Sequence, residues 1–400
     1  MEEDEFKDTE IGRIPKEWEI KTLKDIYTVK YGKSPKKSNN GEIPVIGSSG
    51  IYSYTDIYLA KSDIIIIGRK GNAGKVYFID KNCWPSDTTF YIEPTTLLIS
   101  KFTYYYLYNL NISGNDAKTT LPSLQKGTLE SIILIIPPLE EQKRITYVLS
   151  KIQNAIKIQD RIINSLQELK KSMMHKLFTE GIGHTEFKDT EIGKIPKDWE
   201  VLELGNEKIT VFIKSGNTPS KEIQEYWNGG ILFVTQGDMT KVNKYLYETS
   251  EKITELGLKN FNLFIIPENS ILLSMYGTIG KVVINKNPVT VSQNIAAIKL
   301  NNKNADQEYF FYAIQYYTFQ FEKEAKTSTM KHLNIKIVKQ IYLPLPSLQE
   351  QQQIALIISN IDNKISIEEN RKKYFEALFK TMLNKLMTGQ IRVKNLEMRE

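Results

Sequence analysis

Four hundred residues, 41% of them hydrophobic, are enough chain for two full cores. The single cysteine, Cys83, excludes an internal disulfide and fits a reducing compartment. A net charge of +6 mildly favours an anionic partner such as DNA, while no apolar run approaches the roughly 18 residues a membrane helix needs. The acidic start, MEEDEFKD, does not read as a secretory signal, so a cytoplasmic protein is expected.

Residues 5–19 read EFKDTEIGRIPKEWE and return at 186–200 as EFKDTEIGKIPKDWE. Only Arg13/Lys194 and Glu17/Asp198 differ, so the chain contains a duplication. The offset of 181 residues at this motif lies far beyond the period of solenoid repeats; the repeated unit is a whole domain with its connector. Further along the first copy, short β-branched segments at 63–68, 75–79 and 131–136 are bounded by Gly, Pro, Asn or Asp and read as strands. Residues 102–110 read as a helix laid on that sheet.

After Pro137-Pro138 the character changes. Some 40 residues lack Pro and Gly, and apolar side chains recur at Ile145, Leu149, Ile152, Ile156, Ile163, Leu166, Met173 and Leu177. This alternating 4-3 spacing, interrupted at Gln159 and Lys170, is a coiled-coil seam. A helix of that size is about 60 Å long, more than a small domain is wide. Gly181 stops it.

The second copy repeats the plan with a changed middle. Gly216 answers Gly32 at an offset of 184, Gly277 answers Gly71 at 206, and Leu348 answers Leu139 at 209. The second copy therefore carries 22 extra residues between its two glycines. Strands are expected at 270–275 and 281–284 and a helix at 307–319. A second long helix follows Pro346, with its seam at Ile354, Ile358, Ile361, Ile365, Phe375, Phe379, Met382 and Leu386, interruptions at Glu368 and Lys372, and a stop at Gly389. The fold class is α+β: two similar α+β domains and two long helices forming an antiparallel coiled coil in a pseudo-twofold frame. The expected boundaries are 1–138 for the first domain, 139–180 for the first spacer helix, 181–346 for the second domain, 347–390 for the second helix and 391–400 for a tail.

Catalytic chemistry is missing from the sequence. His175, His184 and His332 are scattered and cannot build a metal cluster with one cysteine. The string from Gly68 to Val76 is not a P-loop: five residues separate Gly68 from Gly74, and Val76 stands where a hydroxyl would bind Mg²⁺. It reads instead as a Gly-rich turn between two strands. Asn287-Pro288-Val289-Thr290 lacks the second proline and the aromatic residue of a base-methyltransferase pocket.

Binding chemistry is present in the loops. Cations sit beside small polar residues at Lys33, Ser34, Lys36 and Lys37, at Arg69, Lys70, Asn72 and Lys75, and at Lys118, Thr119 and Thr120. The second copy offers Lys214, Asn217, Thr218 and Lys221, then Tyr276, Thr278 and Lys281, then Lys326, Thr327 and Lys331. Lysine and arginine attract phosphates whatever the sequence. Amides and hydroxyls read base edges, and Gln236, Gln293 and Asn294 are suited to adenine.

Three groups of residues complete the pattern. They are Ile14-Pro15-Lys16-Glu17-Trp18-Glu19 with Ile195-Pro196-Lys197-Asp198-Trp199-Glu200; Pro137-Pro138-Leu139-Glu140-Glu141-Gln142 with Leu345-Pro346-Ser347-Leu348-Gln349-Glu350-Gln351; and the helix end from Met382 through Leu386-Met387-Thr388-Gly389-Gln390-Ile391-Arg392. With these, in this order and over essentially its whole length, the chain resembles the specificity subunit of type I restriction–modification systems. The resemblance implies that each domain is a target recognition domain reading one half of a bipartite, asymmetric site in double-stranded DNA, and that the coiled coil separates them. It implies docking of two methyltransferase subunits, which two restriction (motor-nuclease) subunits can join. Methylation of adenine with S-adenosylmethionine then belongs to the partner; this chain has no cofactor or metal and is not an enzyme. Base-reading residues vary within the family, so the loop residues above rest on the loops themselves. The competing readings are a stand-alone DNA-binding adaptor or regulator, a diverged nuclease, and a coiled-coil scaffold with lectin-like domains.

Overall fold

The computed structural model describes residues 5–35, 41–94, 99–112, 123–317 and 333–398. They form two compact units, one drawn from 1–161 and 369–400, the other from 162–368. The long helices are Leu139–Thr179 and Leu348–Met387. Acidic residues stand in their first turns (Glu140, Glu141; Glu350) and lysines in their last (Lys176; Lys385), as the helix dipole favours. Gly181 and Gly389 follow their ends with φ of +65° and +71°, a conformation open to glycine at little cost.

In the first unit, a hairpin of Phe6–Thr9 and Gly12–Pro15 leads to strand Glu19–Thr22, which pairs antiparallel with Ile133–Ile136. A four-stranded antiparallel sheet runs in the order Tyr27–Tyr31, Thr89–Pro94, Ile64–Gly68, Val76–Ile79. Its central strand has four consecutive isoleucines because both faces are covered. Alternation sends Ile65 and Ile67 to the main core, with Phe102 and Tyr105 of helix Ser100–Asn109. Ile64 and Ile66 face the other way, toward Ile46 and Tyr91. Ile46 belongs to a three-stranded sheet of Gly50–Thr55, Ile43–Gly47 and Trp84–Pro85.

The second unit repeats this frame. Its hairpin is Phe187–Thr190 with Gly193–Pro196, and Glu200–Glu203 pairs with Tyr342–Leu345. The main sheet runs Thr210–Ser215, Ile295–Leu300, Ile271–Ser274, Val282–Asn285, Tyr245–Leu246. Ile271 and Leu273 join the main core with Tyr309 and Phe310 of helix Gln307–Tyr316, while Leu272 and Val283 join the smaller one. The three-stranded sheet is Glu251–Ile253, Trp227–Val234 and Val289–Val291. The extra length of this copy lies between Trp227–Val234 and Ile271–Ser274. It builds helix Gln236–Thr240, the fifth sheet strand Tyr245–Leu246 and helix Glu255–Asn260, around strand Glu251–Ile253, which takes the place of Gly50–Thr55.

Within each unit the two long helices pack antiparallel. In the first, Ile145 and Leu149 share a core with Leu383 and Leu386. In the second, Leu177 shares one with Ile354 and Ile358. Every seam position of both helices is buried or half-buried. The interruptions carry polar contacts instead. Lys372 pairs across the helices with Asp160 at 2.7 Å in the first unit, and Lys170 with Asp362 at 2.7 Å in the second. Gln159 and Glu368, equivalent by the offset of 209, are 3% and 2% exposed.

The duplicated motif closes each unit at the helix ends. Trp18 Nε1 donates to Glu141 Oε2 at 3.1 Å, and a side chain at Gly389 would lie 2.6 Å from Pro15. Trp199 Nε1 donates to Glu350 Oε2 at 2.9 Å, and a side chain at Gly181 would lie 2.8 Å from Trp199. Each tryptophan thus sits at the start of one long helix and the end of the other, which explains why the motif stayed nearly identical.

Candidate nucleic-acid interface

In the first unit four loops meet at one end of the sheets. The loop after Tyr27–Tyr31 is tied down by Gly32 N to Thr89 O and Lys33 N to Pro85 O, both 3.0 Å. The 47–50 turn is held by Tyr77, whose hydroxyl donates to Ser48 O at 2.9 Å, and by Asn72, whose Nδ2 donates to Ser49 Oγ at 3.0 Å. The Gly-rich turn joins strands Ile64–Gly68 and Val76–Ile79, as its composition suggested. A side chain at Gly68 would lie 2.1 Å from Asn72 O, and Gly71 and Gly74 have φ of +74° and +79°. That turn leans on the fourth loop: Arg69 N and Lys70 N both donate to Thr88 O, at 2.8 and 3.2 Å.

This rim gathers much of what the sequence singled out. Lys33, Ser34, Lys70, Asn72 and Lys75 are exposed, and Arg69 is half-buried with its guanidinium 5.2 Å from the Tyr31 ring centre. Lys75 lies 5.5 Å from the Tyr77 ring. Ser48, Ser49 and the 86–88 turn belong to the same rim and were missed. They carry no cation, and only the pairing of strands brings them to it. Lys36, Lys37, Lys118, Thr119, Thr120, Lys326, Thr327 and Lys331 lie outside the described residues.

The second unit builds the same rim with other side chains. Thr218 hydrogen-bonds to Gln293 Oε1, and Gln236 Nε2 donates to Tyr276 O at 2.6 Å. Asn217, Tyr276, Thr278 and Gln293 are exposed; Asn294 is half-buried. The cations fare differently from their counterparts. By the offset of 206, Met275 and Tyr276 stand where the first copy has Arg69 and Lys70. Lys281 matches Lys75, but its Nζ donates to Val242 O at 2.8 Å, and burial pulls its pKa down. Val242 belongs to the inserted segment, which covers this lysine. Lys214 lies over the Phe212 and Phe264 rings, and Lys221 pairs with Glu251. The first rim is thus basic and the second, among the described residues, is mainly amide and hydroxyl.

Among the described residues, no group of three or more His, Cys, Asp or Glu could hold a metal ion, and no helix is long and apolar enough to cross a membrane. Cys83 is buried, and burial pushes its thiol up to about 12, which keeps it protonated and inert.

Comparison with known proteins gives one answer. The family model described as "Type I restriction modification DNA specificity domain" matches twice, over residues 15–168 and 196–377. The chain is 32% identical to a Methanocaldococcus jannaschii protein provisionally named the type I restriction enzyme MjaX specificity subunit, over 98% of each chain. It is 29% identical to the type I restriction enzyme MjaVIII specificity subunit of the same organism, over 98% of this chain and 97% of that one. The fold matches the crystal structure of a type I restriction–modification S subunit from M. genitalium with a TM-score of 0.63 and 18% identity, covering 92% of this chain and 96% of that one. Two matches of the family model, one per copy, cover most of the sequence, and the chain belongs to the type I restriction–modification DNA specificity family.

Proposed function

We propose that each unit reads one half of a bipartite, asymmetric DNA target with its four-loop rim. The chain is the non-catalytic specificity subunit of a type I system; the two-half reading goes further. The observation that carries it is a common rim scaffold built twice with different side chains. Two rims tied by matching backbone bonds serve one kind of ligand. Two side-chain sets, one cationic and one amide-rich, serve two base sequences. In this reading the boundaries at 138, 180, 346 and 390 separate recognition domains from spacer helices. Methyltransferase subunits, and restriction subunits where present, assemble on the frame. One similar structure, with a TM-score of 0.58, is described as showing complex assembly and conformational transition of the type I system, which supports that assembly here. Adenine methylation with S-adenosylmethionine then resides in the partner, and the complex works on cytoplasmic DNA.

The test is to map methylated adenines in the native genome with and without this chain. A two-part motif that disappears with the chain is expected. Methylation unchanged by its loss would sink the proposal.

A further inference from the structure

One turn of the rim is built alike in both units. Ser86 N donates to Ile46 O at 2.9 Å, and Ser292 N to Val234 O at 3.1 Å. Thr89 N closes on Ser86 O at 3.0 Å, and Ile295 N on Ser292 O at 3.2 Å. The neighbouring loop grips the third residue through its carbonyl: Arg69 N to Thr88 O and Met275 N to Asn294 O, both 2.8 Å. A glycine backs each turn. A side chain at Gly32 would lie 2.0 Å from Ser86 O, and one at Gly216 would lie 1.6 Å from Val291 O. The backbone is therefore held in the same way twice. The second residue of each turn, Asp87 or Gln293, is exposed on it.

We propose that Asp87 and Gln293 are equivalent base-reading residues: Asp87 selects cytosine in one half-site and Gln293 selects adenine in the other. This rests on the DNA-reading function proposed above. A carboxylate on a surface that meets phosphates is repelled unless it finds a donor. It only accepts hydrogen bonds, so it suits the cytosine N4 amino group and is repelled by guanine, whose major-groove edge offers acceptors at N7 and O6. A carboxamide both accepts and donates, as adenine N6 and N7 require. The Thr218 hydroxyl on Gln293 Oε1 orients that amide and leaves its NH₂ group free to donate.

The test is selection of bound duplexes from a randomised pool by the full chain, its Asp87→Gln and Asp87→Asn variants, and its Gln293→Asp variant. Both residues are exposed, and thermal melting checks that folding is kept. Asp87→Gln should change the preferred base at one position of one half-site, by about tenfold or more in relative binding, and leave the other half-site alone. Asp87→Asn should lose the cytosine preference there, and Gln293→Asp should move one position of the second half-site from adenine to cytosine. A change in affinity equal for all sequences would mean that Asp87 acts only through its charge, and would overturn the proposal. So would an unchanged motif. If the unaltered chain selects no motif, the DNA-reading function fails first, and this assignment falls with it.

Discussion

Arg392 holds Glu141 with two parallel bonds, Nε to Oε1 and Nη2 to Oε2, each 2.7 Å. The two side chains are 11% and 4% exposed, and Trp18 shares the same carboxylate. This pair fastens the tail after the second long helix to the start of the first, within one unit. In the other unit His184 stands at the corresponding place and contacts Glu350 at 2.8 Å. Arg392→Ala leaves Glu141 buried without its cation, which should cost about 3–5 kcal/mol. Denaturant unfolding of the full chain should show the unit containing residues 1–161 melting first. Unchanged unfolding would mean that the pair is not held in solution.

The long helices should respond to truncation according to depth. Leu149 is fully buried, packed in a core with Leu383 and Leu386. Leu149→Ala should cost about 2–5 kcal/mol. Ile158 lies on the same helix but is 55% exposed, so Ile158→Ala should stay within about 0.5 kcal/mol. Equal effects in a melting comparison would contradict the assigned seam.

Asp238 gives the inserted segment a pH dependence. It accepts from Thr235 N at 2.9 Å, Ser250 N at 2.9 Å and Ser250 Oγ at 2.6 Å. Burial pushes its carboxyl up, but the bonds from Ser250 and Thr235 outweigh burial and hold it below its ordinary value of 3.8. A depressed folded value means the stability is present above the unfolded value and is lost as pH falls through the folded one. Asp238→Ala should therefore destabilise the second unit by about 1–3 kcal/mol near neutrality. The gap from the unaltered chain should close below about pH 4. A gap that persists in acid would assign the loss to packing alone.

The frame was legible because its signals are local or repeated. The 4-3 spacing from Ile145 to Leu177 marks a helix regardless of its surroundings, and the doubled motif around Trp18 and Trp199 announces two units. The rim was legible only where it carries charge. Arg69 and Lys70 attract notice in a sequence, whereas Ser86-Asp87-Thr88 reaches the rim through strand pairing that no short window reveals. Lys281 misled for a related reason. It aligns with Lys75, but the Val242 carbonyl that takes its ammonium comes from the insertion, which has no counterpart in the first copy. Gln159 and Glu368 broke the seam on paper and yet are buried; Glu368 pairs with Lys364 one turn earlier on its own helix at 2.7 Å, a bond that the apolar spacing does not announce.

The two rims should differ in their dependence on salt. Each lysine or arginine that neutralises a phosphate releases counterions, so binding weakens with salt by roughly one logarithmic unit of slope per phosphate. The first rim presents Lys33, Arg69, Lys70 and Lys75; the second has Met275 and Tyr276 in place of Arg69 and Lys70, and Lys281 faces Val242 O. Replacing Arg69, Lys70 and Lys75 together by alanine should make the slope shallower by about one unit for each phosphate that these three side chains neutralise. Lys281→Ala should leave the slope unchanged, since its ammonium is already engaged inside the unit. Tyr276→Lys restores the cation that the first copy carries at this position, and Tyr276 is exposed, so the slope should steepen by about one unit. The measurement is duplex affinity across a series of salt concentrations, with the cognate motif held fixed. An unaltered slope for the triple variant would show that the first rim faces away from the nucleic acid, and a shallower slope for Lys281→Ala would show that its ammonium leaves Val242 O to neutralise a phosphate.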